Sequence, residues 1–547
     1  MAQSLVWITV FTFCMGVWFL FRSDPRNSFP RFLSDNFRTV SIIAIAVCAI
    51  WMLDYSVRYA IFPIRLNHTP SGVTLLSQAV AAMKPIFFSS PQGDMQLMVY
   101  GPFSFRVGAA FIPFFDNPFT ADGAASLLMF WGFVALMSIL FLRRFGTNAG
   151  IAAILCLFVL ILFQIPLRFE LKEASLLFGI SLSLFAAFSI RNSAVSMLLA
   201  GLGLAMCAIG KPHGAIGVMA LIPLVIYERG TLWIAGAAGF SIVFALVSFL
   251  HPSFSLEAYF AVIDAFSGTR VKSWNHLPWS LIGGTVVLAV LIGAIRGRRE
   301  KPVFISAILM TFAFVFILLG PATDWGSGND HIFYMMPPLM VLAGQRAVLA
   351  GIGKRAAFIC GGWIFASALS LCFSFHDTPS YLRTSLHQRD QFIGERTYWN
   401  SFEKNMKKTS QLLNGLVVEV MPSDSSLYTL YIAGQSFIYP NGRALSHFPH
   451  FMMEPVKDWN ETYMSVQIAA LESQKVDVFL LAHKEGEMFS MESVFPSSHR
   501  IFRDDFESFF LKNYAPVGHI YSYPIYAAKS RLTEIVEILS SRSKQNP

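Results

Sequence analysis

The sequence predicts a mostly α-helical, polytopic membrane protein. A helical membrane domain of about twelve spans covers residues 1–376, and an extracytoplasmic α/β domain covers residues 377–547. Three observations carry this expectation. Of 547 residues only 14% are charged and 54% are hydrophobic, with mean hydropathy +0.54, where a soluble chain carries roughly a quarter charged residues. The apolar residues run in long uninterrupted blocks, the signature of bilayer spans. From about Thr378 the chain turns polar, and strand-like runs alternate with helix-like ones.

The apolar segments fall at 5–22, 39–56, 125–142, 149–165, 174–190, 194–209, 214–228, 231–250, 279–295, 302–320, 331–345 and 356–375. The first lacks a basic leader and a small-residue cleavage site, so it reads as a retained helix. Segment 103–115 is too short to cross and reads as a re-entrant or interfacial helix inside an outer loop, 57–124. Basic residues gather on alternate connections: Arg22 to Arg38, Arg143 and Arg144, Arg191, Arg229, Arg296 to Lys301, and Arg346 to Arg355. Lys and Arg accumulate on the cytoplasmic side. The opposite side then receives 57–124, 166–173, the turn at Lys211, 251–278, 321–330 and the tail. A span at 103–115 would break this alternation. The same rule accounts for the formal charge of +8, and no nucleic-acid motif accompanies it.

The six cysteines, Cys14, Cys48, Cys156, Cys207, Cys360 and Cys372, all lie in apolar blocks without ligand spacing. Structural zinc and disulfides are therefore not implied. In the tail, Leu416–Met421 and Val476–Ala482 read as strands, 462–474 and 502–513 as helices, and 519–528 as a last strand.

Ionisable residues at the ends of spans are costly and are the functional candidates. The first set is Asp54, Asp94 (in Pro91-Gln-Gly-Asp94) and Tyr100; a helix-end acid and a solvated turn would look the same. The second is Arg168-Phe-Glu-Leu-Lys-Glu173, in which a guanidinium fork suits phosphate, although such loops also serve as ion-paired interface anchors. The third is Gly210-Lys-Pro-His-Gly214, where Lys211 either snorkels or meets a phosphate. The fourth, Gly320 to His331, holds Asp324, Asp330 and His331 for proton transfer or hydroxyl recognition and matches no standard metal spacing. Arg270 and Lys272, beside Trp274, fit either a membrane belt or a lipid-phosphate headgroup.

These features, in this order, resemble the GT-C-type membrane glycosyltransferases. They are an acidic outer loop, Tyr100-Gly-Pro-Phe leading into a shallow helix, a membrane-edge lysine, and Gly328-Asn-Asp-His331 before a Pro-containing span. Ala79–Pro102, Lys211–Gly214 and Val478–Gly486 resemble bacterial members of that superfamily. The resemblance implies transfer of a hexose or pentose from a polyprenyl-phosphate donor to a cell-envelope glycan, lipid or protein acceptor, at the periplasmic face of the bacterial inner membrane. It implies Asp94 or Asp54 as general base, and Lys211, Arg168, Arg270 and Lys272 on the donor phosphate. Tyr100, Glu173, His213, Asp324, Asp330, His331 and His68 would meet donor or acceptor hydroxyls. A divalent ion (Mg or Mn), if used, would fall to Asp94, Asp330 and His331. The chain departs from the pattern where an acid is expected near the start of the loop helix, reading Asn67-His-Thr-Pro-Ser71.

The competing expectations are a secondary transporter, an O-antigen ligase or polymerase, and a non-catalytic scaffold for polysaccharide assembly. A transporter calls for internal repeats and mid-bilayer breaks, and the sequence shows no repeat.

Overall fold

The computed structural model describes residues 68–86, 101–116, 118–162, 170–266, 301–321, 328–349, 504–520 and 523–545, and parts of 39–57, 284–295, 412–422 and 465–482. The spans expected at 5–22 and 356–375 lie outside the described residues. The chain clusters into two compact units, each drawn from several stretches: 1–60, 123–248 and 271–391 in one, and 61–122, 249–270 and 392–547 in the other.

The first unit is built from apolar helices. They are α3 (Pro118–Leu162), α4 (Leu171–Ser189), α5 (Ser193–Gly210), α6 (His213–Met219), α7 (Ile222–Arg229), α8 (Thr231–Ser248), α10 (Lys301–Leu319) and α11 (Gly328–Leu349). Among the described residues, five helical stretches are long and apolar enough to cross a membrane: Pro118–Phe158, Leu171–Ser189, Ser193–Gly210, Thr231–Ser248 and Lys301–Leu319. The chain is an integral membrane protein. Helix α3 is two limbs, because Gly146 at φ 73° breaks it just after Arg143 and Arg144, where two separate spans were expected. The span expected at 214–228 is instead the short pair α6 and α7. Pro223 has no N–H to donate back to Met219, and Leu221 leaves helical geometry at φ −90°, ψ 0°.

Small residues set the packing. A Cβ on Gly203 would lie 2.5 Å from the Gly179 carbonyl oxygen, so α4 and α5 touch backbone to backbone. Ser196 Oγ donates to the Ala186 carbonyl (2.6 Å), and Trp233 Nε1 donates to Ser196 Oγ (3.2 Å), tying in α8. At the far end of α4, Arg229 donates to the Ala187 (2.8 Å) and Ile190 (2.6 Å) carbonyls, where the helix dipole favours a cation. Arg144 pairs there with Glu228 through Nη1 (2.8 Å) and Nη2, and donates to Gln345 of α11 (3.1 Å).

The second unit holds α1 (His68–Ala81), α2 (Pro102–Phe111) with a 3-10 turn at Ile112–Phe114, and α9 (Leu256–Phe266). At ten residues α2 is about 15 Å long, half the roughly 30 Å apolar thickness of a bilayer, so this segment does not span. The outer loop expected at 57–124 ends earlier, since α3 already begins at Pro118.

The tail of the same unit forms a four-stranded sheet of order β1-β2-β4-β3, with β1 (Val418–Pro422), β2 (Val478–Ala482), β3 (Tyr514–Ile520) and β4 (Tyr523–Ala528). Strands β1 and β2 run parallel; β4 is antiparallel to both of its neighbours. The single strand expected at 519–528 is a hairpin turning between Ile520 and Tyr523, with a bulge at Pro516/Gly518, where Gly518 takes φ 140°. Helix α12 (Asp504–Asn513) supplies Phe510 to a ring cluster with Phe479, Tyr514 and Tyr526. Asp477 accepts from the Val417 N–H (2.8 Å) and pairs with Arg531, which also holds Glu534. Those bonds lower the Glu534 pKa and raise that of Arg531. Helix α13 (Leu532–Gln545) closes the chain; its Leu532, Ile535, Val536 and Leu539 fall on one helical face.

Candidate active site

Three of the ionisable sets meet at one end of the first unit. Helix α5 stops at Gly210 because Lys211 precedes a proline, which disfavours helical geometry; Lys211 is extended at φ −143°, ψ 104°. The chain restarts at once as α6, so Lys211 and His213 flank a single sharp corner. Two glycines let α6 come close. A Cβ on Gly214 would strike Leu176 of α4 at 2.7 Å, and one on Gly217 would strike Pro338 of α11 at 2.7 Å. Each contact lies about one turn from a polar partner: Leu176 from Glu173, Pro338 from Tyr334.

Lys211 Nζ accordingly sits 2.8 Å from Glu173 Oε1 and 3.0 Å from the Tyr334 hydroxyl, and 5.3 Å from the centre of the Tyr334 ring. Glu173 also lies 3.8 Å from Lys172, which is 3.1 Å from Glu170. The His213 and His331 rings pack edge to face at 4.1 Å, both beside Tyr334. Glu173 and Tyr334 are wholly buried, Glu170 and His331 nearly so, and Lys211 and His213 half-buried. Pro337 and Pro338 remove two N–H donors from α11 just after Tyr334, loosening the helix where it carries the site. Taking carboxylates and ammoniums out of water is expensive, and only tight pairing offsets it. An ammonium fixed at such a corner is a group that an incoming anion could meet.

No family model matches the chain, and no curated protein sequence does. Among solved structures, the crystal structure of ArnT from Cupriavidus metallidurans bound to undecaprenyl phosphate matches with a TM-score of 0.51, over 89% of this chain and 97% of that one, at 10% identity. The chain shares the overall fold of that protein. The apo state of the same ArnT matches at a TM-score of 0.49 and 11% identity over the same shares.

On this scaffold the structure brings Glu173, Lys211, His213 and His331 together. Asp330 and His68 stand in the first turns of α11 and α1, and their side chains lie outside the described set. Asp54, Asp94, Tyr100, Arg168, Asp324, Arg270 and Lys272 lie outside the described residues. Among the described residues no group of three His, Cys, Asp or Glu could hold a metal ion.

Sequence reasoning left Tyr334 out of the site; its signal was the spacing of three from His331, which puts both on one helical face. It left out the buried carboxylate of Asp122 altogether. Asp122, at the start of α3, accepts from Thr74 of α1 (2.6 Å), and a Cβ on Gly108 of α2 would lie 2.4 Å from Asp122 Oδ1. That bond ties α1 to the start of α3, with Gly108 of α2 packed against it. On the same unit His251 Nδ1 accepts from the Ser253 N–H (3.2 Å), and burial, then Arg106, lowers the His251 pKa.

Proposed function

We propose that the chain is an integral-membrane glycosyltransferase. It moves a hexosyl or pentosyl unit from a polyprenyl-phosphate donor to a glycan, lipid or protein acceptor of the cell envelope. In this reading residues 1–376 are the membrane domain, residues 377–547 a periplasmic domain, and the Lys211 end of α4, α5 and α11 faces the periplasm of the inner membrane. The observation that carries the reading is the buried Glu173–Lys211–Tyr334 cluster at one helical end of a GT-C-type fold. The arginines Arg144 and Arg229 stand at the other end of the same helices.

The chemistry follows. Asp94 or Asp54 takes the proton of the acceptor hydroxyl, whose oxygen attacks the anomeric carbon as the bond from that carbon to the phosphate oxygen breaks. Charge grows on the departing phosphate, and Lys211 meets it, with Arg168, Arg270 and Lys272 as further candidates. His213 and His331 would hold sugar hydroxyls. A divalent ion, if the reaction uses one, would draw on Asp94, Asp330 and His331.

The test is sugar transfer by the purified full-length protein in nanodiscs, with polyprenyl-phosphate-linked sugars as donors. Transfer should appear in the wild type and fall by about a hundredfold or more in Lys211→Ala and in one of Asp94→Asn and Asp54→Asn. Undiminished transfer in all three variants would overturn the assignment, and sugar movement without a new glycosidic bond would favour a transporter.

A further inference from the structure

Lys172 stands where helix preferences alone would not put a cation. It is in the first turn of α4, against the helix dipole, yet its side chain is only 9% exposed. It reaches both Glu170 (3.1 Å) and Glu173 (3.8 Å), while Lys211 holds Glu173 at 2.8 Å. Among the described residues, two carboxylates and two ammoniums thus meet in one buried group. A phosphate arriving at Lys211 upsets that pairing, because it competes with Glu173 for the same ammonium. A buried carboxylate stripped of its cation is strongly disfavoured, so phosphate would bind poorly unless another cation takes over.

We propose that Lys172 is the reserve counter-ion of Glu173: when a phosphate group engages Lys211, Lys172 closes onto Glu173. Its three N–H donors let it keep Glu170 as it does so. Lys172 touches no substrate and acts as a positioning residue. The inference rests on the reading that Lys211 receives phosphate, and the experiment separates the two.

Binding is measured on the full-length protein in nanodiscs from about pH 6 to about pH 9, with polyprenyl phosphate, polyprenol and inorganic phosphate as probes. Displacement by inorganic phosphate at similar concentration would mark a free anion as the ligand; lack of displacement would mark the lipid phosphate. In Lys172→Met, affinity should fall about tenfold or more at alkaline pH and recover as pH falls, because Glu173 then takes a proton in place of its cation. The KM for the lipid-linked donor should rise with kcat nearly unchanged, and Lys172→Arg should restore both. Glu170, Lys211, His213, His331 and Tyr334 also face this carboxylate or its partners, so the profile is repeated in Lys172→Met/Glu173→Gln, where the pH dependence should vanish. Wild-type affinity in Lys172→Met, or a loss that does not change with pH, overturns the inference while a loss in Lys211→Ala leaves the site reading standing. Binding unaffected by Lys211→Ala takes both down.

Discussion

Helices α4 and α11 carry charged groups at both ends, and the two ends are built differently. At one end Arg229 binds carbonyls at the C-terminus of α4, and Arg144 binds Glu228 and Gln345 while lying 4.7 Å over the Phe188 ring. Arg229 satisfies carbonyls of the α4 end that would otherwise be unpaired, and Arg144 ties α3 to α7 and α11 through side chains. At the other end Glu173 is buried with two ammoniums and a tyrosine, and an apolar replacement of similar shape would pack at less cost. The first arrangement explains itself as architecture. The second spends stability on charge, which is the mark of a site.

Substitutions at the two ends should therefore part company. The largest effect is expected for Glu173→Gln, which removes the buried carboxylate that Lys211 and Lys172 both face. Stability should drop by about 3 kcal/mol and transfer by about a hundredfold, read by thermal unfolding and by turnover in nanodiscs. Gly203→Val comes next. Its side chain would be driven onto the Gly179 carbonyl, costing about 2 kcal/mol and shifting α4 against α5, so Glu173 and Lys211 move apart and transfer falls with stability. Arg144→Ala removes an ion pair whose partner side chain keeps a quarter of its surface exposed, so about 1 kcal/mol of stability is lost with transfer within about threefold of wild type. If Arg144→Ala silenced the protein as thoroughly as Glu173→Gln, the contrast between the ends would fail. The smallest effect concerns the second unit. Because the pKa of His251 lies below its ordinary 6.5, the unfolded chain takes the proton first, and stability should fall as pH drops through that value. His251→Gln should flatten that slope in pH-dependent unfolding curves.

Much of this arrangement could be read from residues alone. Lys211, His213, Glu173 and His331 stood out because ionisable side chains at the ends of apolar blocks are expensive, and the alternation of arginine-bearing loops put them on one side. The helix break at Gly146 followed from two arginines between two apolar runs. What stayed hidden depended on neighbours distant in sequence. Tyr334 looks like any aromatic residue in an apolar helix until α6 brings Lys211 to its hydroxyl. Lys172 and Glu170 belonged to a candidate loop that read equally as an ion-paired interface anchor, because sequence does not reveal burial. The break between α6 and α7 was masked by the apolar character of both pieces, although Pro223 marked it. Helix α13 was missed despite its regular spacing, since it follows a strand with only the three-residue turn Lys529–Arg531 between.

The central claim is that the Lys211 end of these helices opens to the outside of the cytoplasmic membrane. It is tested most directly by single cysteines placed in a background without the six native ones: Pro212→Cys beside Lys211, and Arg191→Cys at the opposite end of α4, both at exposed positions. In intact cells a membrane-impermeant thiol reagent should label the cysteine at 212 and reach the one at 191 only after permeabilisation. The reverse pattern would contradict the account.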